Sequence, residues 1–418
     1  MQPLLYITTM GNLNKPQIYF PEFTEEWVSN TLGDIARFSK GKGLPKSDIS
    51  ENGVRDCVRY GELYTIYNET IDSVFSKTNI NSGDLVLSEA NDIIIPASGE
   101  TQIDIAKASC LLKSGVVIGG DLNIIKTSNN GVFLSYYLNS KKKNDIAQLA
   151  QGISIVHLYS GQLSKLQLNL PSLTEQHKLA SFFTAIDKKI SQLKRKKILL
   201  EQYKKGTLQE LFSQKIRFRD ANGHVYPKWE KKKLSEVLYE HLEINDGNKY
   251  SEVFSVAKQK GVINQIEHLG RSYSAKDIAH YKIIRPYDIV YTKSPTSEFP
   301  FGIIKQNMTG RTGVVSPLYG VFNPQTIALG FLIHNYFLYW KNAFNYLHPL
   351  VQKGAKNTMN INNNTFLNGA KINLPVSEAE QTKIAGFFTA IDDKIYHVQK
   401  QIEKAAIWKQ GVLQQMLC

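Results

Sequence analysis

Along two stretches of the chain, apolar positions alternate at spacings of four and three. In the first stretch, Leu179, Phe183, Ile186, Ile190, Leu193, Leu200 and Leu211 fall on one stripe, with Lys197, Lys204 and Thr207 at the intervening stripe positions. In the second, Ile384, Phe388, Ile391, Ile395, Val398, Ile402, Ala405, Val412 and Met416 follow the same rule, interrupted by Lys409. This spacing keeps one face of an α-helix turned toward a partner helix. Each stretch predicts a helix of roughly 35 to 40 residues, about 55 to 60 Å long at 1.5 Å per residue. An isolated helix of that length would leave its stripe in water. The economical solution is an antiparallel coiled coil between the two stretches, with the globular parts they follow at opposite ends. The alternative is that each helix packs on its own globular domain.

The two stretches are copies of one unit. LPSLTEQHKLASFFTAID ends at Asp187, and LPVSEAEQTKIAGFFTAID ends at Asp392, with one extra residue before Glu380. From Glu175-Gln176 and Glu380-Gln381 onward the copies stay in register, pairing Tyr203 with Trp408, Gly206 with Gly411 and Leu208 with Leu413. A duplicated helix implies a duplicated domain, and upstream landmarks agree. Trp27, Leu32, Asp34 and Ile35 align with Trp229, Leu234, Glu236 and Val237. Gly83-Asp84-Leu85-Val86-Leu87 resembles Tyr287-Asp288-Ile289-Val290-Tyr291, and Gln151-Gly152 resembles Lys353-Gly354. Between these joints there is little identity, which suggests one scaffold presenting two different recognition surfaces.

The fillings read as mixed α/β. Short β-branched runs such as Leu85–Leu87, Ile93–Ile95, Val116–Ile118 and Ile289–Tyr291 are bounded by Gly, Pro, Asn and Asp, as strands are. Val132–Asn139 and Ala328–Tyr346 read as helices. The expected organisation is an extension over 1–19 with no counterpart in the second copy, expected to be poorly ordered; a globular domain over 20–171; a helix over 172–215; a second domain over 216–375; and a second helix over 376–418. The fold class is therefore α/β, mixed α+β, with two tandem domains alternating with two long helices and a pseudo-twofold repeat.

At 418 residues, 42% hydrophobic and 21% charged, the chain has the composition of a soluble globular protein. The most apolar stretch, Ala328–Trp340, is too short and too polar for a bilayer helix. No charged start followed by an apolar run marks a secretory signal, so no membrane association is expected and a cytoplasmic location is. Cys57, Cys110 and Cys418 are far apart and form neither a disulfide framework nor a zinc cluster. Net charge is +13, with an isoelectric point near 9.3, which favours a polyanionic partner, above all nucleic acid. The first helix carries more of that charge than the second.

Catalytic motifs are missing. Gly41-Lys42-Gly43 is followed by Leu44-Pro45 rather than by the start of a phosphate-loop helix, and no GxGxxG follows a strand. Asn323-Pro324 leads into Gln325, not into the second proline of an amino-methylating motif, and the nine histidines show no metal-ligand spacing. Residues suited to DNA contact are Lys40, Lys42 and Lys46 in the loop Phe38–Ser47, whose glycines would allow close backbone approach to phosphate. Thr292, Lys293 and Thr296 lie in a second basic, hydroxyl-rich loop, and Arg311 and Thr312 in a third, where Arg311 could read guanine.

Two variable domains, each opening near a PEFTEEW or YPKW segment and each closed by an EQxK(I/L)AxFFTAID helix, resemble the specificity subunit of a Type I DNA restriction-modification enzyme. The resemblance runs from about Pro21 to Cys418. It implies a non-catalytic subunit whose two target-recognition domains each bind half of a split, asymmetric target on double-stranded DNA, spaced by an antiparallel coiled coil with Phe183, Ile186, Ile190, Leu193, Leu200, Phe388, Ile391, Ile395, Val398 and Ile402 in its seam. It also implies docking of two modification (methyltransferase) subunits and, through them, restriction (translocase-nuclease) subunits. S-adenosylmethionine, ATP and Mg belong to those partners, and this chain binds no cofactor or metal. The other reading is a DNA-binding scaffold or regulator unconnected with methylation.

Overall fold

A computed structural model describes residues 6–7, 14–80, 85–258, 260–293, 295–296, 298–353 and 359–418. The chain divides into two units, residues 1–195 with 399–418, and residues 196–398. Each long helix contributes one half to each unit. No described helix is long and apolar enough to cross a membrane.

In the first unit, Val28–Thr31 pairs antiparallel with Gln167–Leu170, so the chain opens and closes the domain on one ladder. A five-stranded sheet runs in the order Ala36–Lys40, Leu122–Thr127, Ile93–Pro96, Ser109–Leu111, Thr70–Ile71. Side chains alternate across it, as a pleated strand requires. Ile93, Ile95 and Ile125 enter one buried cluster, whereas Ile94, Ile124 and Leu122 enter another on the opposite face. A helix over Gly131–Ser140, N-capped by the Asn130 side chain, lies in the first cluster. Residues 14–19 are tied in rather than loose. The Asn14 carbonyl accepts from Trp27 N at 2.8 Å, Lys15 donates to the Thr24 carbonyl at 2.9 Å, and Ile18 packs on the core. The rest of the unmatched extension, apart from 6–7, lies outside the described residues.

The second unit repeats this plan. Glu230–Lys232 pairs antiparallel with Ile372–Leu374. Its four-stranded sheet runs Leu238–Glu240, Gly320–Pro324, Ile289–Tyr291, Ile304–Gln306, the same order as the first four strands above. A helix over Ile327–Leu338, N-capped by Thr326, takes the place of Gly131–Ser140. The single helix predicted over Ala328–Tyr346 is two. Tyr339 is extended (φ −81°, ψ 113°) and a second helix runs Trp340–Leu347, which brings Ala343, Tyr346 and Leu347 back onto the cluster that already holds Ile333 and Phe337.

The structure also shifts one landmark. Tyr287-Asp288-Ile289 corresponds to Asn91-Asp92-Ile93. In both, a positive-φ residue (Tyr287, 72°; Asn91, 83°) precedes an aspartate that accepts from the backbone N–H three residues earlier, at 2.7 Å from Arg285 and 2.8 Å from Glu89. Both aspartates then lead into an inner strand of the sheet. Gly83 and Asp84 lie outside the described residues, and of Leu85–Leu87 only Leu87 makes an isolated bridge, to Val117. Hydrophobic pattern alone could not choose between the two runs. The opening landmark holds: Asp34 and Glu236 each accept from the backbone N–H three residues back, Thr31 at 2.9 Å and Lys233 at 2.7 Å.

The long helices span Leu173–Phe212 and Glu378–Met416 and pack together. In the first unit Leu179, Phe183, Ile186 and Ile190 share a buried cluster with Val412, Met416 and Leu417. In the second, Leu208 and Leu211 share one with Ile384, Phe388 and Ile391. The start of one helix thus meets the end of the other, which is antiparallel pairing. Each fully buried Leu, Ile or Phe contributes roughly 1.5–3 kcal/mol. Leu193, Val398 and Ile402 are buried as well, and Leu200 and Ile395 are half-buried.

The duplicated Glu-Gln explains how each domain is fixed to its helix. Trp27 Nε1–H donates to Glu175 at 3.4 Å, and Trp229 Nε1–H to Glu380 at 3.1 Å. Gln176 accepts from Asn130 N at 3.0 Å and donates to Asn129 and to the Pro171 carbonyl, while Gln381 accepts from the Thr326 hydroxyl at 2.9 Å and donates to the Pro375 carbonyl. The glutamate holds the opening segment and the glutamine holds the N-terminus of the domain helix. Burial pushes the Glu175 carboxyl up to about 7 against the opposing effect of the Trp27 N–H, and burial raises Glu380 too.

Lys204 and Lys409, which interrupt the seam at equivalent places in the two copies, are paired across it. Lys204 meets Asp392 at 2.7 Å, and Lys409 meets Asp187 at 2.8 Å and Glu69 at 3.2 Å. Both aspartates close the FFTAID motif. Polar pairs at seam positions favour one register and orientation over others.

Two predictions follow from these contacts. A carboxyl whose folded pKa lies above its unfolded value of 4.5 binds more protons in the folded state, so its contribution falls as pH rises from about 4.5 to about 7. Urea unfolding of the parent should lose up to about 3 kcal/mol over that window from this group, and Glu175→Gln should remove that part of the decline; an unchanged pH profile would contradict the assignment. Second, Lys409→Met should cost about 2 kcal/mol, because it strands two part-buried carboxylates, and Lys204→Met about 1 kcal/mol or less, because Asp392 is more exposed. Equal losses in urea midpoint would count against this.

Candidate nucleic-acid interface

In the first unit the basic loop leaves the edge strand at Lys40. Lys40 is exposed, with Nζ 5.6 Å from the centre of the Tyr159 ring. Lys42 and Lys46 are exposed on the same loop, Lys46 opening a short 3₁₀ turn over Lys46–Asp48. The role expected for the glycines changes for Gly41. A Cβ there would lie 1.9 Å from the Gly119 carbonyl oxygen, so Gly41 serves close backbone packing within the domain. Gly43 faces open space. The loop is held by Gly41 N to the Leu122 carbonyl at 3.0 Å and Lys42 N to the Ile118 carbonyl at 3.2 Å. Three cationic side chains are thereby presented from a fixed backbone at one end of the five-stranded sheet.

In the second unit the candidates are placed less openly. Thr292 is buried, and its hydroxyl accepts from Ile303 N at 3.1 Å. That oxygen serves the fold, so a direct phosphate contact from Thr292 does not fit this arrangement. Lys293 is half-buried with φ 57°, and burial, reinforced by Lys282, lowers its pKa. Thr296 is exposed and caps its own turn by accepting from Phe299 N. Ser294 and Ser297 of this loop lie outside the described residues.

Arg311 is engaged. Its guanidinium makes two parallel bonds to Glu267, at 2.7 and 2.9 Å, lies 3.0 Å from Glu252, and sits over the Phe254 ring. To read a guanine edge, Arg311 would have to exchange these carboxylates for the base. The exchange is feasible because exposed ion pairs of this kind contribute little to stability. Thr312 is half-buried beside it.

Sequence reasoning missed several polar groups. Tyr159 stacks on His157 (ring centres 6.0 Å apart, 21° between planes) beneath Lys40; the Gln151-Gly152 landmark just upstream was the signal that could have found them. In the second unit Lys305 is 2% exposed and pushed down to about 8 by burial, with Lys204 adding to the effect. The half-buried His334 beside it is held well below the usual histidine range by the same causes, desolvation first and then the two lysines, and its Nδ1 accepts from Gln306 N at 3.1 Å. These groups belong to a domain interior. Among the described residues no group of three or more His, Cys, Asp or Glu is placed to hold a metal ion. What the exposed loops can do is offer cations, amides and one aromatic platform to an anionic, stacked polymer.

Comparison with known proteins shows what the arrangement is similar to. Residues 24–202 match the family model of the Type I restriction modification DNA specificity domain. The Type I restriction enzyme MjaVIII specificity subunit of Methanocaldococcus jannaschii is 27% identical over 215 residues, covering 48% of this chain and 49% of that protein. The putative Type I restriction enzyme MjaX specificity subunit of the same organism is 26% identical over 436 residues, covering 96% of this chain and 95% of that protein. The chain thus spans about half of the first relative and nearly all of the second. The crystal structure of the S subunit of a Type-I restriction-modification system from M. genitalium superposes with a TM-score of 0.59 over 97% of this chain and 99% of that one, at 12% identity, which speaks to the fold. The chain is thus similar to Type I restriction-modification specificity proteins in one matched domain and along nearly the whole of one relative, and it shares the fold of a solved S subunit.

Proposed function

We propose that this chain is the DNA-recognition subunit of a Type I restriction-modification complex and reads a split target with two unlike halves. The observation that carries the reading is the coexistence of one frame, built twice, with two different fillings. The strand closure, sheet order, Glu-Gln attachment and seam lysine recur in both units, whereas the loops on the two sheets differ in sequence, burial and pairing. A frame that recurs positions; fillings that differ discriminate. In this reading Lys40, Lys42 and Lys46 engage phosphates from the first domain. Lys293, Thr296 and Arg311, with Thr312 beside it, face DNA from the second, Arg311 after releasing Glu267.

The chain itself supplies no chemistry in this proposal. Two modification subunits, one for each copy of the frame, bring S-adenosylmethionine and methylate adenine, and restriction subunits bring ATP, Mg and cleavage. The pairing of the long helices sets the unread spacer between the half-sites, which on B-DNA are presented on successive turns about 34 Å apart.

Co-expression with the cognate modification subunit in a methylation-free host, followed by genome-wide mapping of methyladenine, tests this. The expected result is one split motif with two unlike halves and a fixed gap. A soluble complex that methylates nothing would instead support a DNA-binding scaffold or regulator.

A further inference from the structure

The first unit carries a small hairpin whose tip lies outside its core. Gln151 and His157 exchange backbone hydrogen bonds, Gln151 N to the His157 carbonyl at 2.9 Å and His157 N to the Gln151 carbonyl at 2.7 Å. Between them the chain reverses at Gly152, with φ 130°, where a Cβ would lie 2.0 Å from the Ile155 carbonyl oxygen. Only glycine permits that closure. Its result is that Ile153 is 101% exposed and Ile155 is 59% exposed, while Val156 and Leu158 at the root are buried.

The tip is firmly mounted. Val156–His157 pairs with Ser98–Gly99, Leu158 N donates to the Ala97 carbonyl at 2.9 Å, Asn123 Nδ2 donates to the Leu158 carbonyl at 2.8 Å, and Gln102 Nε2 donates to the Ala150 carbonyl at 3.2 Å. Two β-branched aliphatic side chains are thus held out in water by a rigid base. A lone exposed isoleucine needs no explanation, but a pair fixed on a locked turn has a direction. The surroundings say what they would meet. Residues 150–160 contain no carboxylate of their own, Glu100 and Asp104 following the paired strand Ser98–Gly99, while the stacked Tyr159 and His157 rings stand beside the root and Lys40 lies over Tyr159. Apolar tip, aromatic face and cation together match a stacked base step flanked by phosphate more closely than they match a protein groove.

We propose that the 151–157 hairpin is a wedge, with Ile153 entering a base step of the duplex, Ile155 packing behind it, and Lys40 on the adjoining phosphate. The proposal rests on the DNA-recognition reading above. It adds a site at which the chain unstacks or kinks DNA, outside the loops named for base reading.

The test uses the full-length chain and duplexes of the mapped target in which 2-aminopurine replaces one base at a time across the first half-site and its flanks. The parent should raise fluorescence at one step. The Ile153→Ser, Ile155→Ser double variant should abolish that rise and weaken binding roughly ten-fold or more, with an unchanged urea midpoint because both side chains lie outside the core. Lys40→Ala should keep the fluorescence rise while reducing the salt dependence of binding. A parent that binds the duplex without a rise at any step overturns the wedge and leaves the recognition reading intact. A double variant that retains the rise, or that loses the modification subunit while DNA binding persists, overturns it as well. A parent that binds no duplex takes both down.

Discussion

The structure depends on a carboxylate and a carboxamide standing side by side at the start of each long helix. Glu175 and Glu380 take the indole N–H of the tryptophan that opens each domain, and Gln176 and Gln381 hold the N-terminus of the helix that follows the sheet. One turn of helix therefore fixes where the domain begins and where its main internal helix points. A buried carboxyl is costly unless it is paired. Both are buried and raised in pKa, and Glu380 Oε2 has no hydrogen-bond partner among the described residues. The indole N–H bonds, and for Glu380 the Arg217 guanidinium 3.9 Å away, offset part of that cost.

The seam works from the same helices by a different principle. Apolar residues supply most of the association energy but would tolerate sliding, because one heptad resembles the next. The lysine in each copy, set against the aspartate of FFTAID in the other, removes that freedom. The copies are not equal. Lys409 has Asp187, Glu69 and the Tyr136 ring around it, and Tyr136 O–H donates to Asp187. Lys204 has only Asp392 as an acidic partner among the described ion pairs and lies near the buried Lys305. A shared frame has been adapted to two different interiors.

Much of this was legible in the sequence, for reasons that differ by element. The long helices follow from a stripe that holds over many turns, and the opening landmark from Trp27 and Trp229, whose size and polar N–H tie them to one role. Asn91-Asp92-Ile93 was not recognised as the partner of Tyr287-Asp288-Ile289, because a positive φ at a non-glycine residue leaves no clear trace in composition. The break at Tyr339 was hidden because an apolar run reads alike whether it is one helix or two. At the candidate interface, exposed lysines were foreseeable from charge. The burial of Thr292, the carboxylates around Arg311 and the packing role of Gly41 depend on residues far away in sequence.

The central claim is that the frame positions and the fillings discriminate. The most direct measurement is to exchange residues 27–165 for those of a relative with a known, different target and map methyladenine made by the hybrid with its modification subunit. The account requires one half of the split motif to change while the other half stays as in the parent. A hybrid that methylates with both halves altered would contradict it.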